Sequence, residues 1–314
     1  MIDLNERHFR AMNTQISAWM WLDGPLASVW LNEAEAFFRE IEAELSRFRP
    51  DSGLSRLNAA AGDGPQAVSG TLRTVLGLAL AAARDSGGIF DPTVLGPLRS
   101  AGYERSFENL ATGTESAAGG CTGNNAGAQL GWQQVELDTA RGTVGLPAGV
   151  GIDLGGIAKG WAVDRAAEML GAWSAALVDA GGDIRASAAP GGEPWPIAIE
   201  DPFDNTRDLG VVRLVAGAVA TSSVGRRRWQ RHGQPMHHLI DPRTGEPSRS
   251  DLHTVTVVAP TAVEGELAAK ITLILGSREG QAYLKARELS GLLIGHDGGQ
   301  QVVGKLVIEQ FVEA

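Results

Sequence analysis

The stretch VGIDLGGIAKGWA at residues 150–162 restricts the fold more than any other part of the chain. It opens on alternating apolar residues, which are typical of a strand, and then passes Asp153 and the neighbouring glycines Gly155 and Gly156. Lys159 follows, just before the segment WAVDRAAEML, whose apolar residues recur at helical spacing. A glycine turn between a strand and a helix exposes backbone N–H groups at the positive end of the helix dipole, where phosphate binds well. The same pattern also serves as a plain connection, so the residues leave both interpretations open.

Length and charge limit the classes of function. The 314 residues can form one large domain or two closely packed ones, and we expect a single domain over 1–314. The formal net charge of −10 argues against non-specific nucleic-acid binding. A phosphate-bearing ligand must therefore be held locally, by backbone groups, a few basic residues or a metal. The single cysteine, Cys121, excludes an internal disulfide and a cysteine-cluster metal site.

The amino terminus predicts the compartment. Residues 1–10 are charged and lack the apolar core of about 7–15 residues that a signal peptide needs. The sequence also has no apolar run near the roughly 20 residues that cross a bilayer. We expect a cytoplasmic protein without a membrane span.

Apolar periodicity and turn residues predict the secondary structure. In order, they predict a strand at 12–21, an amphipathic helix over 31–48, a short helix capped by Ser52, a helix over 71–84, strands at 134–137, 142–146, 176–178 and 195–202, a hairpin over 209–223, a strand at 252–259 and a helix over 262–276. Residues from about 111 to 131 are small and polar, which is typical of a surface loop without chemistry of its own.

Three further motifs each admit two interpretations. GIFDPTVLGPL at 88–98 is either a loop stiffened by its prolines or a ligand-binding segment, and RRRWQRHG at 226–233 is either a solvated turn or a phosphate contact. In MHHLIDPRTGEP at 236–247, His237 and His238 would face opposite sides of a strand, which argues against a shared metal. Turn geometry alone can explain that segment too.

Taken in order, these segments resemble the ApbE family of FAD:protein FMN transferases. The resemblance rests on FRAMNT, LSRFRPDSGLSRLN, GGIFDPTVLGPL, DLGGIAKGWAVD, LVDAGGDIRA, AVATSS, HHLIDPRTG and ELAAKITLILG, and it covers nearly the whole chain. It implies an α+β fold of antiparallel sheets with packed helices, in which FAD lies in a cleft between two halves.

The resemblance also implies site residues. Those implied to bind FAD are Met12 at the flavin end, Phe48, Ile89, Phe90, Asp91, Asp153, Lys159, Leu239 and Ile240. The carbonyl of Gly156 and the carboxylate of Glu266 are implied to hold Mg²⁺, and Glu266 and Lys270 take the catalytic positions.

Such enzymes transfer FMN from FAD to a threonine hydroxyl of a target protein and release AMP. The pyrophosphate must be held while a metal and backbone donors neutralise its developing charge. FAD, Mg²⁺ and an acceptor protein carrying the threonine are therefore the implied partners.

This sequence departs from the family pattern at two places. Asn13 replaces a glycine in the amino-terminal motif, and Glu266 and Lys270 stand where the family usually presents an aspartate and, four residues on, a threonine as metal ligands. An ammonium group has no lone pair for a metal, so Lys270 would instead meet the pyrophosphate directly. Two alternatives follow: a non-catalytic FAD-binding protein that stores or delivers flavin, and an FAD pyrophosphatase that yields FMN and AMP.

Overall fold

The computed structural model describes residues 3–107, 131–231 and 233–309. They form two compact units: the first comprises Met1–Glu42, Ile157–Ser223 and Ser250–Ala314, and the second comprises Ala43–Gly156 and Val224–Arg249. The predicted loop at about 111–131, including Cys121, lies outside the described residues except for Gly131.

The elements are as follows. The helices are α1 (Pro25–Leu45), α2 (Gly53–Ala59), α3 (Gly70–Asp85), α4 (Leu95–Ser100), α5 (Ala158–Gly171) and α6 (Ala262–Ala286). The strands are β1 (Leu4–Ala11), β2 (Thr14–Trp21), β3 (Gln66–Ala67), β4 (Glu136–Asp138), β5 (Thr143–Gly145), β6 (Ala176–Ala180), β7 (Asp183–Ala186), β8 (Trp195–Asp201), β9 (Asp204–Leu214), β10 (Gly217–Ser223), β11 (Arg228–Arg231), β12 (Gln234–His237), β13 (Ile240–Asp241), β14 (Glu246–Pro247), β15 (Leu252–Ala259), β16 (Ser290–Gly295) and β17 (Gln300–Val303). None of the described helices is long and apolar enough to cross a membrane.

The first unit is built on an eight-stranded sheet in the order β1-β2-β6-β7-β10-β15-β16-β17. Every neighbouring pair in it is antiparallel. Helix α6 packs against β10 and β15, and α5 packs against β6, β7 and α6. The β8–β9 ribbon joins the same unit through a buried cluster that includes Trp195, Val219 and Leu292. This arrangement confirms the predicted α+β fold of antiparallel sheets with packed helices.

The second unit combines α2, α3 and α4 with a small β3-β5-β4 sheet and two hairpins, β11–β12 and β13–β14. Asn58 at the end of α2 accepts a hydrogen bond from the N–H of Ile152 at 2.7 Å and donates one to its carbonyl at 2.9 Å. The strand predicted at the start of 150–162 is reduced to a single parallel bridge between Gly151 and Val94. The amide of Asn58 and a backbone hydrogen bond from the Asp153 N–H to the Pro92 carbonyl at 2.8 Å, rather than a sheet, therefore hold this segment in place.

Local signals placed most helices correctly. Helix α3 and the short helix α2 are confirmed, and the Ser52 hydroxyl accepts a hydrogen bond from the Ser55 N–H at 2.9 Å as the predicted cap. The predicted hairpin over 209–223 is wrong. Strand β9 pairs with β8, whereas β10 pairs with β7 and β15, so the two successive strands belong to different sheets.

Helix α6 extends ten residues beyond its predicted end because a second cap restarts it. Gly276 adopts φ 82° inside the helix, a conformation that favours glycine. The Asp251 carboxylate accepts hydrogen bonds from the N–H of Ser277 at 2.9 Å and from its hydroxyl at 2.5 Å. A capped second segment therefore follows the break.

Gly160 lets α5 and α6 approach closely, and its substitution tests that contact. A Cβ at position 160 would lie 2.8 Å from the Ala262 carbonyl oxygen and 3.0 Å from a Glu266 carboxylate oxygen. We expect Gly160→Ala to lower the free energy of unfolding by about 1–3 kcal/mol, the usual cost of overpacking. Gly171→Ala in the same helix is the control, because its nearest neighbour is Ser187 at 3.9 Å. Urea denaturation measures both, and a Gly160→Ala variant as stable as the wild type would contradict the close approach.

Candidate functional site

A buried ion cluster in the first unit surrounds Lys159. Its ammonium group contacts the Asp183 carboxylate and lies 2.9 Å from Oε1 of Glu266. The N–H of Gly160 donates to Oε2 of Glu266 at 2.9 Å. The side chains of Asp183 and Glu266 are only 3% and 4% exposed. One lysine at the start of α5 thus holds carboxylates from β7 and α6.

The charges in this cluster change one another's pKa values. Burial alone would lower the pKa of Lys159, but Asp183 and Glu266 outweigh it and raise that pKa. Burial would likewise raise the pKa of Glu266, but Lys159 and then Lys270 hold it below its usual value. Burial raises the pKa of Asp183 to about 7; the charge of Lys159 opposes this rise, and the charge of Glu266 adds to it. Glu266 is therefore the carboxylate that stays charged most readily.

Lys270 belongs to the same electrostatic environment. It follows Glu266 by four residues on α6, so the two side chains lie on one face of the helix. Its positive charge helps to lower the pKa of Glu266 and opposes the rise in the pKa of Asp183. The cluster contains two carboxylates and two ammonium groups, and their formal charges balance.

Asp183 also belongs to the cluster, although the resemblance to the ApbE family assigns it no role. It directly follows the glycine pair Gly181–Gly182, whose φ values are 67° and 94°. A Cβ at Gly181 would collide with the Thr14 hydroxyl, so only glycine allows this turn to lie against the start of β2. The available signal was an aspartate immediately after two adjacent glycines.

Met12 lies in the tight turn between β1 and β2, where Ala11 pairs with Thr14. The strand predicted to begin at Met12 is therefore wrong at its start. Met12 and Asn13 have φ values of 52° and 57°, as a two-residue turn of this type requires. Asparagine tolerates that conformation, whereas methionine is strained in it. Strain of this kind concentrates at functional sites, and the flavin contact of Met12 stays a prediction.

In the second unit, Phe48 and Ile240 belong to one apolar cluster. Ile240 is 4% exposed and packs with Leu98, Ala101 and Tyr103, and the partly buried Phe48 and Trp229 lie against them. The Phe48 and Tyr103 ring centroids are 5.6 Å apart, and Tyr103 stacks on Trp229 at 5.2 Å. Two predicted FAD contacts that lie far apart in sequence are thus brought together.

Arg47 links Phe48 to Asp153, although the sequence did not identify it. Its Nε lies 2.5 Å from Oδ2 of Asp153, and its guanidinium carbon lies 4.1 Å from the Phe48 ring centroid. Nη1 donates to the Tyr103 carbonyl at 2.9 Å. The Arg47 side chain is only 5% exposed, so it fixes two predicted FAD-binding residues from a buried position.

The remaining predicted contacts of this unit have mainly local partners. Asp91 is buried, and its carboxylate accepts hydrogen bonds from the N–H and the hydroxyl of Thr93 at 2.7 and 2.6 Å. Burial raises the pKa of Asp91, although the two hydrogen bonds from Thr93 act to lower it. Phe90 and Leu239 are buried as well, whereas Ile89 is half-buried.

Gly156 and Glu266 are the residues predicted to hold Mg²⁺. Gly156 is buried at the end of the turn that precedes α5. Within the described ranges, no group of three or more His, Cys, Asp or Glu side chains is arranged to hold a metal ion. Any Mg²⁺ at Glu266 would therefore need oxygen ligands from the backbone, the substrate or water.

Comparison with known sequences decides the family. The profile of the ApbE family matches residues 12–293. The chain belongs to the ApbE family. The FAD:protein FMN transferase of Treponema pallidum is 32% identical to this ApbE-family chain over 284 residues, which cover 83% of this chain and 75% of the relative. The enzyme of the same name from Haemophilus influenzae is 32% identical over 276 residues, covering 83% and 77%.

Solved structures agree with this assignment. The ApbE protein of Thermotoga maritima superposes with a TM-score of 0.85 at 25% identity, covering 96% of this chain and 97% of that one. The flavin transferase ApbE of Vibrio cholerae gives a TM-score of 0.78 at 26% identity, covering 96% and 98%. The resemblance to the ApbE family and its α+β fold are therefore confirmed.

The pKa of Asp183 predicts how stability depends on pH. Its folded value of about 7 lies above the unfolded value of about 3.9, so the folded protein binds this proton more tightly. Its contribution to the free energy of unfolding should fall as pH rises from about 4 to about 7. We expect the wild type to lose stability relative to Asp183→Asn across that window.

Urea denaturation of both proteins at several pH values measures this difference. Asp251→Asn is the control, because the hydrogen bond from Ser277 is the main cause that lowers the pKa of Asp251. The difference in the free energy of unfolding between Asp251→Asn and the wild type should stay constant above about pH 5, since the Asp251 carboxylate is charged there in both the folded and the unfolded protein. Parallel curves for the wild type and Asp183→Asn would contradict the raised pKa.

Proposed function

We propose that this ApbE-family protein transfers FMN from FAD to a threonine hydroxyl of a partner protein and releases AMP. The observation that carries the proposal is the match over residues 12–293, which includes every predicted FAD-binding position from Met12 to Ile240. Relatives about one-third identical over most of their length are named FAD:protein FMN transferases. The cytoplasm stays the compartment predicted from the sequence.

The reaction exchanges one phosphorus–oxygen bond for another. The threonine oxygen bonds to the phosphorus of the FMN half, the bond from that phosphorus to the AMP oxygen breaks, and the hydroxyl proton is released. The protein's task is to hold the pyrophosphate and to balance the charge that builds up on it. Lys159 sits in the first turn of α5, where its ammonium group and the helix dipole both favour an anion.

The residues proposed to hold FAD are distributed along the chain from Met12 to Ile240. The half-buried Phe48 offers an aromatic surface to a flat ring, the buried Ile240 supports it from the same apolar cluster, and Met12 presents its side chain from a strained turn. Asp153 is oriented by Arg47 and by the N–H of Gly155, which donates to its Oδ1 at 2.9 Å. Ile89, Phe90, Asp91 and Leu239 complete the proposed set.

Magnesium fits this chain as an ion shared with the substrate. Proteins usually bind it through one or two carboxylates, substrate phosphates and water. Lys159 donates to one Glu266 oxygen and the N–H of Gly160 to the other, whereas a carboxylate has about four acceptor positions. We therefore propose that Glu266 and the Gly156 carbonyl would hold Mg²⁺, which when bound would neutralise charge on the pyrophosphate. Lys270 adds a fixed positive charge instead of a ligand.

One incubation distinguishes the transferase from its two alternatives. The full chain is mixed with FAD, Mg²⁺ and a panel of threonine-bearing acceptor proteins, and the products are separated on a denaturing gel and by chromatography. A covalently fluorescent acceptor together with AMP is the result that the proposal expects. Free FMN with AMP would indicate a pyrophosphatase. Bound but unchanged FAD would indicate a delivery protein, and either of these outcomes would overturn the transferase.

Glu266→Ala tests the proposed metal ligand. Because Glu266 is the one side-chain ligand proposed for Mg²⁺, its loss should abolish transfer or its dependence on Mg²⁺. Glu279→Ala, an exposed carboxylate on the same helix, is the matched control. Wild-type rates and Mg²⁺ dependence in Glu266→Ala would remove this residue from the mechanism.

Lys270→Thr tests the substitution that sets this chain apart. Replacing the ammonium by a hydroxyl removes a repelling charge and adds an oxygen ligand, so Mg²⁺ should bind more tightly. Calorimetric titration of Mg²⁺ into the FAD-loaded protein measures the affinity. An unchanged affinity would argue against a role for Lys270 in place of the metal ligand.

A further inference from the structure

Two histidines of the first unit, neither of them proposed to bind FAD, form a pair. His253 lies in β15, and His296 directly follows the end of β16. Their Nδ1 atoms are 3.4 Å apart, and their ring centroids are 5.4 Å apart with an interplanar angle of 86°. Because the nitrogens are much closer than the centroids, each Nδ1 lies on the edge of its ring that faces the other ring.

The backbone places both residues through irregularities in the sheet. In the pairing of β15 with β16, Leu252 opposes Gly295 and Thr254 opposes Ile294, so His253 is the extra residue of a bulge. A bulge redirects a side chain out of the regular alternation, and bulges are frequent beside functional sites. The N–H of His296 donates to the Asp251 carbonyl at 3.2 Å, which holds it against the start of β15.

Neighbouring groups hold His253 in position. Its ring packs on Phe203 with centroids 4.7 Å apart, and its carbonyl accepts a hydrogen bond from the Ser223 hydroxyl at 3.4 Å. His253 is only 6% exposed, whereas His296 is exposed. The pair therefore combines one fixed imidazole with one that solvent reaches.

The separation of the two nitrogens matches a shared metal ion. Imidazole nitrogens bind zinc at about 2.0–2.1 Å, and two of them at a tetrahedral angle lie about 3.4 Å apart. The same 3.4 Å is at the long end for a direct N–H···N hydrogen bond between the two rings. We propose that the Nδ1 atoms of His253 and His296 bind one divalent transition-metal ion of the class that imidazole prefers, such as Zn²⁺, Ni²⁺ or Cu²⁺.

The surrounding charge favours a cation, and the coordination sphere stays open. Asp251 lies two residues before His253 and Asp297 directly follows His296, and their carboxylates accept hydrogen bonds from Ser277 and from the N–H of Gly299. In the described part of the chain, no third His, Cys, Asp or Glu completes a cluster. Water or donor atoms of another molecule fill the remaining positions, which makes this an open site rather than a closed structural one.

Calorimetric titration of Zn²⁺ into the EDTA-treated, desalted full chain tests the proposal. One Zn²⁺ per chain is expected, and EDTA should remove it. His296→Gln should weaken binding at least about tenfold, since even groups beyond the metal's own ligands contribute about 10–100-fold. His8→Gln is the matched control, because His8 lies on β1 and its Nδ1 pairs with the Ser17 hydroxyl at 2.8 Å. Equal Zn²⁺ affinity in wild type and His296→Gln, or no binding by the wild type, would overturn the site.

A second measurement avoids substituting the buried His253. Cu²⁺ added to the wild type should give an electron paramagnetic resonance spectrum with coupling to two imidazole nitrogens. The same spectrum of His296→Gln should retain coupling to at most one of them. A wild-type spectrum without imidazole nitrogen coupling would refute the pair as ligands, independently of any flavin chemistry.

Discussion

The buried Lys159 ammonium is the interaction on which the first unit most depends. Carboxylates in so enclosed a place need a cation between them to carry charge, because the desolvation of an unpaired buried charge costs several kcal/mol. Asp183 and Glu266 come from different elements, so one lysine joins β7 and α6 at the start of α5. A ligand that approaches Lys159 must share it with both carboxylates. The affinity of Lys159 for a phosphate therefore depends on how strongly Asp183 and Glu266 compete for its ammonium group.

The second unit uses a buried arginine in a similar way. Arg47 neutralises Asp153 while its planar guanidinium group lies on the rings of Phe48 and Tyr103. Lysine could not replace it, since only the flat guanidinium can stack and hydrogen-bond at once. In both units a buried cation thus orients a carboxylate that the sequence had assigned to a ligand or to a metal. Asp153 and Glu266 therefore stabilise the fold through these ion pairs before any substrate binds.

Local signals in the sequence predicted the elements better than their pairing. The cap at Ser52 and the apolar stripe of α3 depend on residues a few positions apart, and both were recognised. The partner strands of β9 and β10 depend on residues far along the chain, and their predicted hairpin was wrong. The same limit applies to the site. The order of the motifs identified the family, but it did not identify ion-pair partners. Asp183, the partner of Lys159, is more than 20 residues away, and Arg47, the partner of Asp153, is more than 100 residues away. Periodicity carries no information about such contacts.

The division of the first unit into three chain segments affects how the protein is made. Strand β2 pairs with β6, with Ile16 opposite Ala180, so the amino-terminal hairpin has no partner until most of the second unit has been synthesised. At about 5–20 residues per second, that wait lasts on the order of ten to thirty seconds on the ribosome. An unpaired strand edge invites association with other chains, and charged residues along it oppose this. Strand β1, at the edge of the finished sheet, carries Glu6, Arg7 and Arg10, whereas β2, which waits for β6, carries no charged residue. Charge therefore protects only the outer edge of the waiting hairpin.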